Sequence, residues 1–206
     1  MDEKEYFERV ASQWDWMRKN FFSEAVRKKT LTLAGIQKGK EALDVGAGTG
    51  FMTEGLIAEG LRVVALDRSK AMLERMREKF RDCDGITYLI GDAENIPLLD
   101  ESFDYVFANM CLHHLENPVK AVKEMVRVLK PNGRLVITDL DEHNFAFLKE
   151  EHHARWMGFK RKDVKNWLLS ARLRDVFVGD LEENCCTRSC CEDGSVTIFI
   201  ALEVKS

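Results

Sequence analysis

The stretch that decides the fold of this chain is Leu43-Asp44-Val45-Gly46-Ala47-Gly48-Thr49-Gly50. It joins a short apolar strand, predicted at residues 42–45, to a helix that begins near Met52. Glycines between a strand and a helix let the backbone turn sharply and approach a ligand, because no Cβ stands in the way. A dinucleotide-binding turn would need a third glycine at Phe51 or Thr53, and a P-loop would need Gly-Lys-Ser/Thr. Both are absent, so the turn is not built for a pyrophosphate.

Outward from this turn, short apolar runs alternate with longer amphipathic stretches. This alternation is typical of βαβ units and a mostly parallel sheet. Further strands are predicted at residues 62–66, 86–90, 105–108, 134–138, 176–178 and 196–204. Helices are predicted at residues 69–80, 117–129 and 163–173, with Ser69 and Asn117 as N-caps and Pro118 in the first turn. The sequence therefore predicts an α/β fold.

Further motifs follow the glycine turn in chain order. Asp67 ends the second strand, where a carboxylate can accept hydrogen bonds from both hydroxyls of a ribose. The others are Gly91-Asp92-Ala93-Glu94-Asn95-Ile96-Pro97, Ser102-Phe103-Asp104-Tyr105-Val106-Phe107-Ala108-Asn109 and Arg127-Val128-Leu129-Lys130-Pro131-Asn132-Gly133. Together with Asp-x-Gly-x-Gly-x-Gly at residues 44–50, they resemble the class I S-adenosylmethionine (SAM)-dependent methyltransferases. The chain is most similar to the small-molecule group that includes the ubiquinone/menaquinone-biosynthesis type, and the resemblance covers residues 6–139.

The resemblance implies a Rossmann-like sheet of seven strands, mostly parallel with an antiparallel last strand, and helices on both faces. It implies SAM as cofactor, with the acid at Asp92 bonded to the adenine amino group and the Ala93 backbone beside it. The strand that ends at Asn109 lies next to the methionine part. The cofactor residues expected on this basis are Asp44, Gly46, Gly48, Gly50, Asp67, Arg68, Met72, Asp92, Ala93 and Asn109. Asn132 stands where the family more often has glycine, and asparagine also tolerates a left-handed turn.

The acceptor site is expected beyond the carboxyl ends of the strands. Three histidines that follow the fourth and fifth strands are candidate catalytic residues: His113, His114 and His143. The chain lacks Asn/Asp-Pro-Pro-Tyr after the fourth strand, which argues against enzymes that methylate adenine or glutamine amides. A small-molecule acceptor is expected, such as a thiol or a thiol-bound metal or metalloid. The alternatives are a SAM- or metal-binding regulatory protein without turnover, and a protein methyltransferase.

A cysteine cluster lies between the last two strands: Cys185, Cys186, Cys190 and Cys191. Soft thiolates suit zinc, copper(I) or an arsenic(III)-like metalloid. Adjacent cysteines are poorly placed for ordinary disulfides, and the spacing differs from the usual Cys-x-x-Cys zinc pattern. The cluster predicts a soft or borderline metal site, with redox exchange and a plain reduced loop as alternatives.

Size and composition predict one globular domain over residues 1–206, because the chain is 45% hydrophobic and 32% charged. It divides into an N-terminal helical segment (1–34), a SAM-binding core (41–139) and acceptor-side helices and last strands (140–206). Aromatic residues between Tyr6 and Phe22 suit either a pair of packing helices or a lid over a small molecule. A net charge of −4 gives no reason to expect nucleic acid. The charged start and the absence of long apolar runs predict a cytoplasmic protein without membrane contact.

Overall fold

The computed structural model describes residues 3–145, 153–171, 173–188 and 193–205. Its strands are β1 (Glu41–Val45), β2 (Arg62–Asp67), β3 (Ile86–Ile90), β4 (Phe103–Asn109), β5 (Leu129–Leu140), β6 (Leu173–Arg188) and β7 (Asp193–Lys205). They form one sheet in the order β3-β2-β1-β4-β5-β7-β6. Strands β1 to β5 are parallel, and β7 is antiparallel to both of its neighbours. The predicted fold class is confirmed.

The order of the strands places a crevice at the middle of the sheet. From β1 the chain moves to β2 and β3 on one side, then returns to β4 and β5 on the other. The connections that leave the carboxyl ends of β1 and β4 therefore diverge, which opens a ligand site at this switch point. The central strands are buried on both faces, as expected for a parallel sheet covered by helices.

The α-helices of the described part are α1 (Glu3–Val10), α2 (Trp14–Arg18), α3 (Glu24–Ala34), α4 (Phe51–Ala58), α5 (Lys70–Lys79), α6 (Pro118–Val128) and α7 (Arg161–Ser170). A short 3₁₀ helix covers Leu112–His114. The predicted caps are confirmed: Ser69 accepts from the Met72 amide at 3.1 Å, and Asn117 accepts from the Lys120 amide at 3.0 Å. Among the described helices, none combines the length and the apolar character that crossing a bilayer requires.

Helices cover both faces of the sheet. Apolar side chains of α3 and α4 pack on one face, against Ala42, Phe107 and Ile200. Those of α6 and α7 pack on the other face, against Val106 and Phe199. This arrangement leaves the carboxyl edge of the sheet as the place where loops and the N-terminal helices meet.

Two parts of the chain differ from the sequence prediction. The N-terminal segment holds three helices rather than a pair, because Ser23 caps a third helix by accepting from the Ala25 amide. Strand β6 is much longer than predicted, and β7 is longer by three residues at its start and by one at its end, since the two strands extend together as an antiparallel hairpin. Asn132 has a φ of +61°, so it takes the left-handed turn expected of it.

Glu203 is a buried carboxyl group without a partner. It lies on β7 opposite Leu135, its residue is 2% exposed, and neither carboxylate oxygen has a hydrogen-bond partner within the described residues. Burial raises its pKa well above the ordinary value. An unpaired buried charge is costly, so this carboxyl group opposes folding at neutral pH.

We therefore expect Glu203→Met to raise the free energy of unfolding at neutral pH by about 1–3 kcal/mol. The folded-state pKa is raised, so the wild type keeps full stability below the unfolded pKa and loses it as pH rises towards the folded pKa. The difference in free energy of unfolding between Glu203→Met and wild type should thus grow as the pH rises above the ordinary pKa range of glutamate. Urea denaturation at several pH values measures it. Exposed Glu116→Met is the control, and an equal effect of both variants at every pH would contradict the assignment.

Candidate active site

A cavity opens at the carboxyl ends of β1, β2, β4 and β5. It encloses about 1260 Å³ of empty space, part of it open to solvent. The glycine turn, the end of β2, the 3₁₀ helix and the N-terminal segment form its walls. Four aromatic side chains of the N-terminal segment line it: Phe7, Trp14, Phe21 and Phe22. The cavity is therefore largely apolar, with a few polar groups at defined places, as is usual for small-molecule sites.

Glycines shape the turn after β1. Gly46, Gly48 and Gly50 all have positive φ, at +67°, +55° and +90°. A Cβ on Gly46 would lie 2.5 Å from the Cys111 sulfur, and one on Gly50 would lie 2.6 Å from the Phe80 ring. A Cβ on Gly48 would meet nothing nearer than 3.6 Å. Gly46 and Gly48 line the cavity, whereas Gly50 serves the packing of the turn against the end of α5.

Asp67 lies on the cavity wall at the end of β2. Its Oδ2 accepts from the Gly48 amide at 2.7 Å, and its Oδ1 accepts from the Ser69 amide at 2.8 Å. Burial raises its pKa, an effect that these backbone hydrogen bonds oppose. Each carboxylate oxygen keeps a lone pair for a further donor. Arg68 and Met72 line the same part of the cavity.

Asp44 and Asp92, like Gly50, are expected cofactor residues that do not line the cavity. Asp44 is buried beneath the turn, where Thr53 donates its amide at 3.0 Å and its hydroxyl at 2.7 Å to Oδ2. Burial raises the pKa of Asp44 to about 7. Asp92 accepts from the Glu94 amide at 2.9 Å, while the neighbouring Ala93 does line the cavity. The adenine contact of Asp92 stays a prediction.

The end of β4 brings Asn109 and Met110 to the cavity. Asn109 accepts from the Thr138 hydroxyl at 2.8 Å, so its amide group is held by the neighbouring strand. Met110 has a φ of +51°, which is strained for a residue with a side chain. Such strain often accompanies functional sites, because the surrounding structure must enforce it.

His113 and Asp139 form a buried pair at the ends of β4 and β5. His113 Nδ1 lies 2.6 Å from Asp139 Oδ1, and His113 lines the cavity. Asp139 is fully buried and also accepts backbone N–H groups from Leu112 at 2.8 Å and Leu140 at 2.8 Å. With Nδ1 directed at the carboxylate, Nε2 is the nitrogen left for a ligand. Sequence reasoning had His113 as a candidate but missed its pairing with Asp139, although both follow adjacent strands.

The other two candidate histidines have different surroundings. His114 lines the cavity, with its ring 5.0 Å from that of Phe7 and 4.1 Å from that of His113. His143 lies outside this wall and is 8% exposed, and its buried Nε2 has no hydrogen-bond partner within the described part of the chain. Burial, aided by the nearby His113, lowers the pKa of His143. His113 combines a place on the cavity wall with a carboxylate at hydrogen-bond distance.

The first part of the N-terminal segment, residues 3–22, lies over the glycine turn. The Thr49 hydroxyl donates to Asp15 at 2.6 Å, and Glu8 accepts from the Lys70 amide at 2.8 Å. The Cys186 amide donates to the Phe21 carbonyl at 2.7 Å, which ties the segment to β6 as well. These contacts agree with both sequence interpretations, since the segment packs on the domain and also covers the cavity. Its action as a lid stays a prediction.

Only two of the four clustered cysteines lie within the described residues. Cys185 is buried and lines the cavity, whereas the adjacent Cys186 is exposed, because neighbouring residues of a strand point to opposite faces. Burial raises the pKa of Cys185 to about 12, which disfavours the thiolate that a metal needs. The described residues hold no group of three or more metal-ligating side chains. Cys190 and Cys191 lie outside the described residues, so the four-cysteine metal site stays a prediction.

Comparison with known proteins gives a consistent result. A family model described as "Methyltransferase domain" matches residues 43–137. A demethylmenaquinone methyltransferase from Renibacterium salmoninarum is 39% identical over 120 residues, which is 58% of this chain and 49% of that protein. A demethylmenaquinone methyltransferase from Listeria welshimeri is 35% identical over 157 residues, 72% of this chain and 66% of that protein. The chain thus spans about half of the length of the Renibacterium relative.

A solved structure shows the same fold. The crystal structure of a SAM-dependent methyltransferase from Aquifex aeolicus superimposes with a TM-score of 0.70. The match covers 97% of this chain and 98% of that one, at 23% sequence identity. At this identity the likeness concerns the fold alone.

Proposed function

Because this chain belongs to the class I SAM-dependent methyltransferases, we propose that it transfers the methyl group of SAM to a small-molecule acceptor that loses a proton. The observation that carries this proposal is the His113–Asp139 pair on the cavity wall. A hydroxyl or an acidic carbon needs a base beside the reacting atom, whereas a thiolate does not. The pair therefore favours an oxygen or carbon acceptor over the thiol that the sequence also suggested.

The residues around the glycine turn fit SAM. Bound there, the cofactor supplies a methyl group already activated on a sulfonium, so the protein's task is chiefly alignment and exclusion of water. Gly46 and Gly48 line the cavity beside the turn without adding a side chain to it. Asp67 would accept hydrogen bonds from the ribose hydroxyls through the lone pairs that the backbone leaves open. Ala93 would lie against the adenine.

His113 would take the proton of the acceptor. Asp139 accepts from its Nδ1, which fixes the ring and leaves the lone pair of Nε2 free in the neutral form. The Asp139 carboxylate would also stabilise the imidazolium after proton transfer, because opposite charges attract at this distance. Aromatic side chains of the N-terminal segment would keep water from the reacting atoms. Asp139 is thus a positioning residue and His113 the catalytic one.

The acceptor that these walls suit is a flat apolar ring with a hydroxyl group or an acidic carbon. Two relatives bear the name demethylmenaquinone methyltransferase, and a quinol-like ring of that kind would match the aromatic lining. The test is incubation of the protein with methyl-labelled SAM and a panel of quinols, phenols, carboxylic acids, thiols and amines. Label transfer to a phenol, a quinol or an acidic carbon supports the proposal. Transfer only to thiols or to protein contradicts it, and binding of SAM without any turnover would favour a regulatory protein.

Asp67→Ala is expected to weaken the affinity for SAM by about ten- to a hundredfold, because two ribose hydrogen bonds are lost. Titration calorimetry measures this directly. Burial raises the pKa of Asp67. As the pH is lowered, the affinity of the wild type for SAM should therefore begin to fall at a higher pH than it would with an ordinary aspartate. Asp104→Asn is a matched control at the opposite end of the sheet. Unchanged affinity in a folded Asp67→Ala protein would remove this residue from the site.

A further inference from the structure

Arg18 is a buried cation with unused hydrogen-bond donors. It lies at the end of α2, lines the cavity, and is 5% exposed. Its Nη2 donates to Glu24 at 2.8 Å, but Nε and Nη1 have no partner within the described residues. Arginine stays charged in proteins, so these unpaired N–H groups are expensive to keep away from water. A ligand that accepts from them would remove this cost.

Aromatic rings hold the guanidinium in place. Its central carbon lies 4.3 Å from the centre of the Phe51 ring and 5.5 Å from that of Phe22. Stacking on a ring fixes the plane of the guanidinium and leaves its edge for hydrogen bonds. Little side-chain freedom then remains to be lost when a ligand binds, so the group is preorganised.

The charges around Phe51 leave one positive charge in excess. Glu24 is shared by Arg18 and Arg27. Glu54 is shared by Arg27 and Lys79, the latter at 3.6 Å. Three cations thus face two carboxylates in this cluster. Elsewhere on the cavity wall, Lys4 and Arg68 are further cations and Asp67 is a carboxylate. The local charge favours an anion beside Arg18.

The glycine turn offers few backbone groups for such an anion. Loops that bind anions usually do so with free backbone N–H groups. Here the amides of four turn residues already donate within the protein, and they belong to Gly46, Ala47, Gly48 and Gly50. An anionic ligand group would therefore find few free backbone donors at this turn, whereas Arg18 keeps Nε and Nη1 without a partner among the described residues.

We propose that Arg18 is a carboxylate-binding residue of this cavity. A carboxylate matches the planar guanidinium and accepts two N–H groups at once. The inference rests on the proposed function, which provides two sources of a carboxylate: the amino-acid end of SAM and an acidic acceptor. Both would place the same chemistry against Nε and Nη1, so the experiment must separate them.

The first arm uses two cofactor-like probes that differ in the amino-acid end. S-adenosylhomocysteine carries the carboxylate, and methylthioadenosine lacks the whole amino-acid part. If the cofactor is the source, Arg18→Gln lowers the affinity for S-adenosylhomocysteine by about ten- to a hundredfold and leaves that for methylthioadenosine unchanged. Calorimetry on the full chain gives both values. Equal losses for both probes would mean a structural role and overturn the proposal for this source.

The second arm uses a panel of aromatic carboxylates and their neutral methyl esters, without cofactor, followed by thermal shift. If an acidic acceptor is the source, carboxylates stabilise the wild type more than their esters, and Arg18→Gln removes this difference. This arm works even when wild type binds neither cofactor probe, a result that would contradict the proposed function alone. If no carboxylate-dependent binding is lost in either arm, the proposal is wrong.

Arg27→Gln is the matched control for both arms. Arg27 also stacks on Phe51, at 5.1 Å, and also pairs with Glu24, but it does not line the cavity. Its loss changes the charge cluster by the same amount as the loss of Arg18. We expect this variant to keep the wild-type preference for carboxylates. An equal effect of both variants would assign the preference to the local charge and not to Arg18, which contradicts the proposal.

Discussion

Replacing His113 by glutamine is expected to lower the rate of methyl transfer by about a hundred- to ten-thousandfold, the usual contribution of a positioned general base. Glutamine retains an N–H group for Asp139 but has no basic nitrogen. Asp139 keeps its backbone donors in this variant, those of Leu112 and Leu140, so the fold should survive. The affinity for SAM should stay near that of wild type, because most expected cofactor residues lie on the connections after β1, β2 and β3, and Asn109 is held by Thr138. Steady-state rates and calorimetry separate the two effects.

The pH dependence distinguishes a base from a structural histidine. A general base must be unprotonated to act, so a pH-dependent limb of the wild-type rate that is absent in His113→Gln would identify the base. Asp139→Asn should also lower the rate, since it removes the anion that fixes the ring. His153→Gln is the control, because His153 contacts the Tyr6 ring at 4.7 Å and does not line the cavity. A rate within about threefold of wild type in a folded His113→Gln protein would exclude a general base, whose loss costs at least about a hundredfold.

The central part of the fold could be predicted because its signals are local. Strand β3 matches its predicted bounds at residues 86–90, and β1 and β2 each differ by one residue at one end. Where an apolar strand is followed by a helix, the capping residue marks the start of the helix in the sequence, as Ser69 and Asn117 do. Strand β1 lies in the middle of the sheet, where burial on both faces produces a continuous apolar run, whereas β3 lies at the edge of the sheet.

The last hairpin could not be predicted with the same success, for physical reasons. Strand β6 is at the edge of the sheet, and its pairing with β7 shifts register after Arg174 and again after Asp180. Asp175 and Glu182 have positive φ at these irregularities. Bulges of this kind break the alternation by which a strand is recognised in a sequence. The predicted strand at residues 176–178 is therefore only a fragment of β6.

Sequence motifs could name residues of the cavity wall after β1 and β2, but they could not name the contacts of His113 and Arg18. The glycine turn and Asp67 follow each other along the chain in a recognisable order. The pairing of His113 with Asp139 depends on the register of two strands, in which Asn109 lies opposite Thr138. Arg18 reaches the cavity only because α2 folds over the turn. Neither the His113–Asp139 contact nor the position of Arg18 produces a periodic pattern in the sequence.

Gly46→Ala is expected to lower the free energy of unfolding by about 2–5 kcal/mol. A positive φ costs a residue with a Cβ about 1–2 kcal/mol, and forcing an atom into a packed site costs about 1–3 kcal/mol more. The second cost applies here because the new Cβ would lie 2.5 Å from Cys111 Sγ and 3.0 Å from Cys111 Cβ. Gly39→Ala is the matched control, since Gly39 has a φ of +82° but nothing within 4 Å of its would-be Cβ. Urea denaturation of both variants isolates the cost of the close approach.

The contact of Gly46 with Cys111 also links the two halves of the site. Cys111 directly precedes the 3₁₀ helix that carries His113, so a shift of Cys111 moves the proposed base. Gly46→Ala should therefore reduce SAM affinity and methyl transfer together, whereas His113→Gln reduces only the second. Adding Cys111→Ala to Gly46→Ala should recover part of the stability, because residues in contact are not additive. If Gly46→Ala lowers the free energy of unfolding no more than Gly39→Ala does, the close contact between Gly46 and Cys111 does not constrain the turn. The proposed link between the two halves of the site is then wrong.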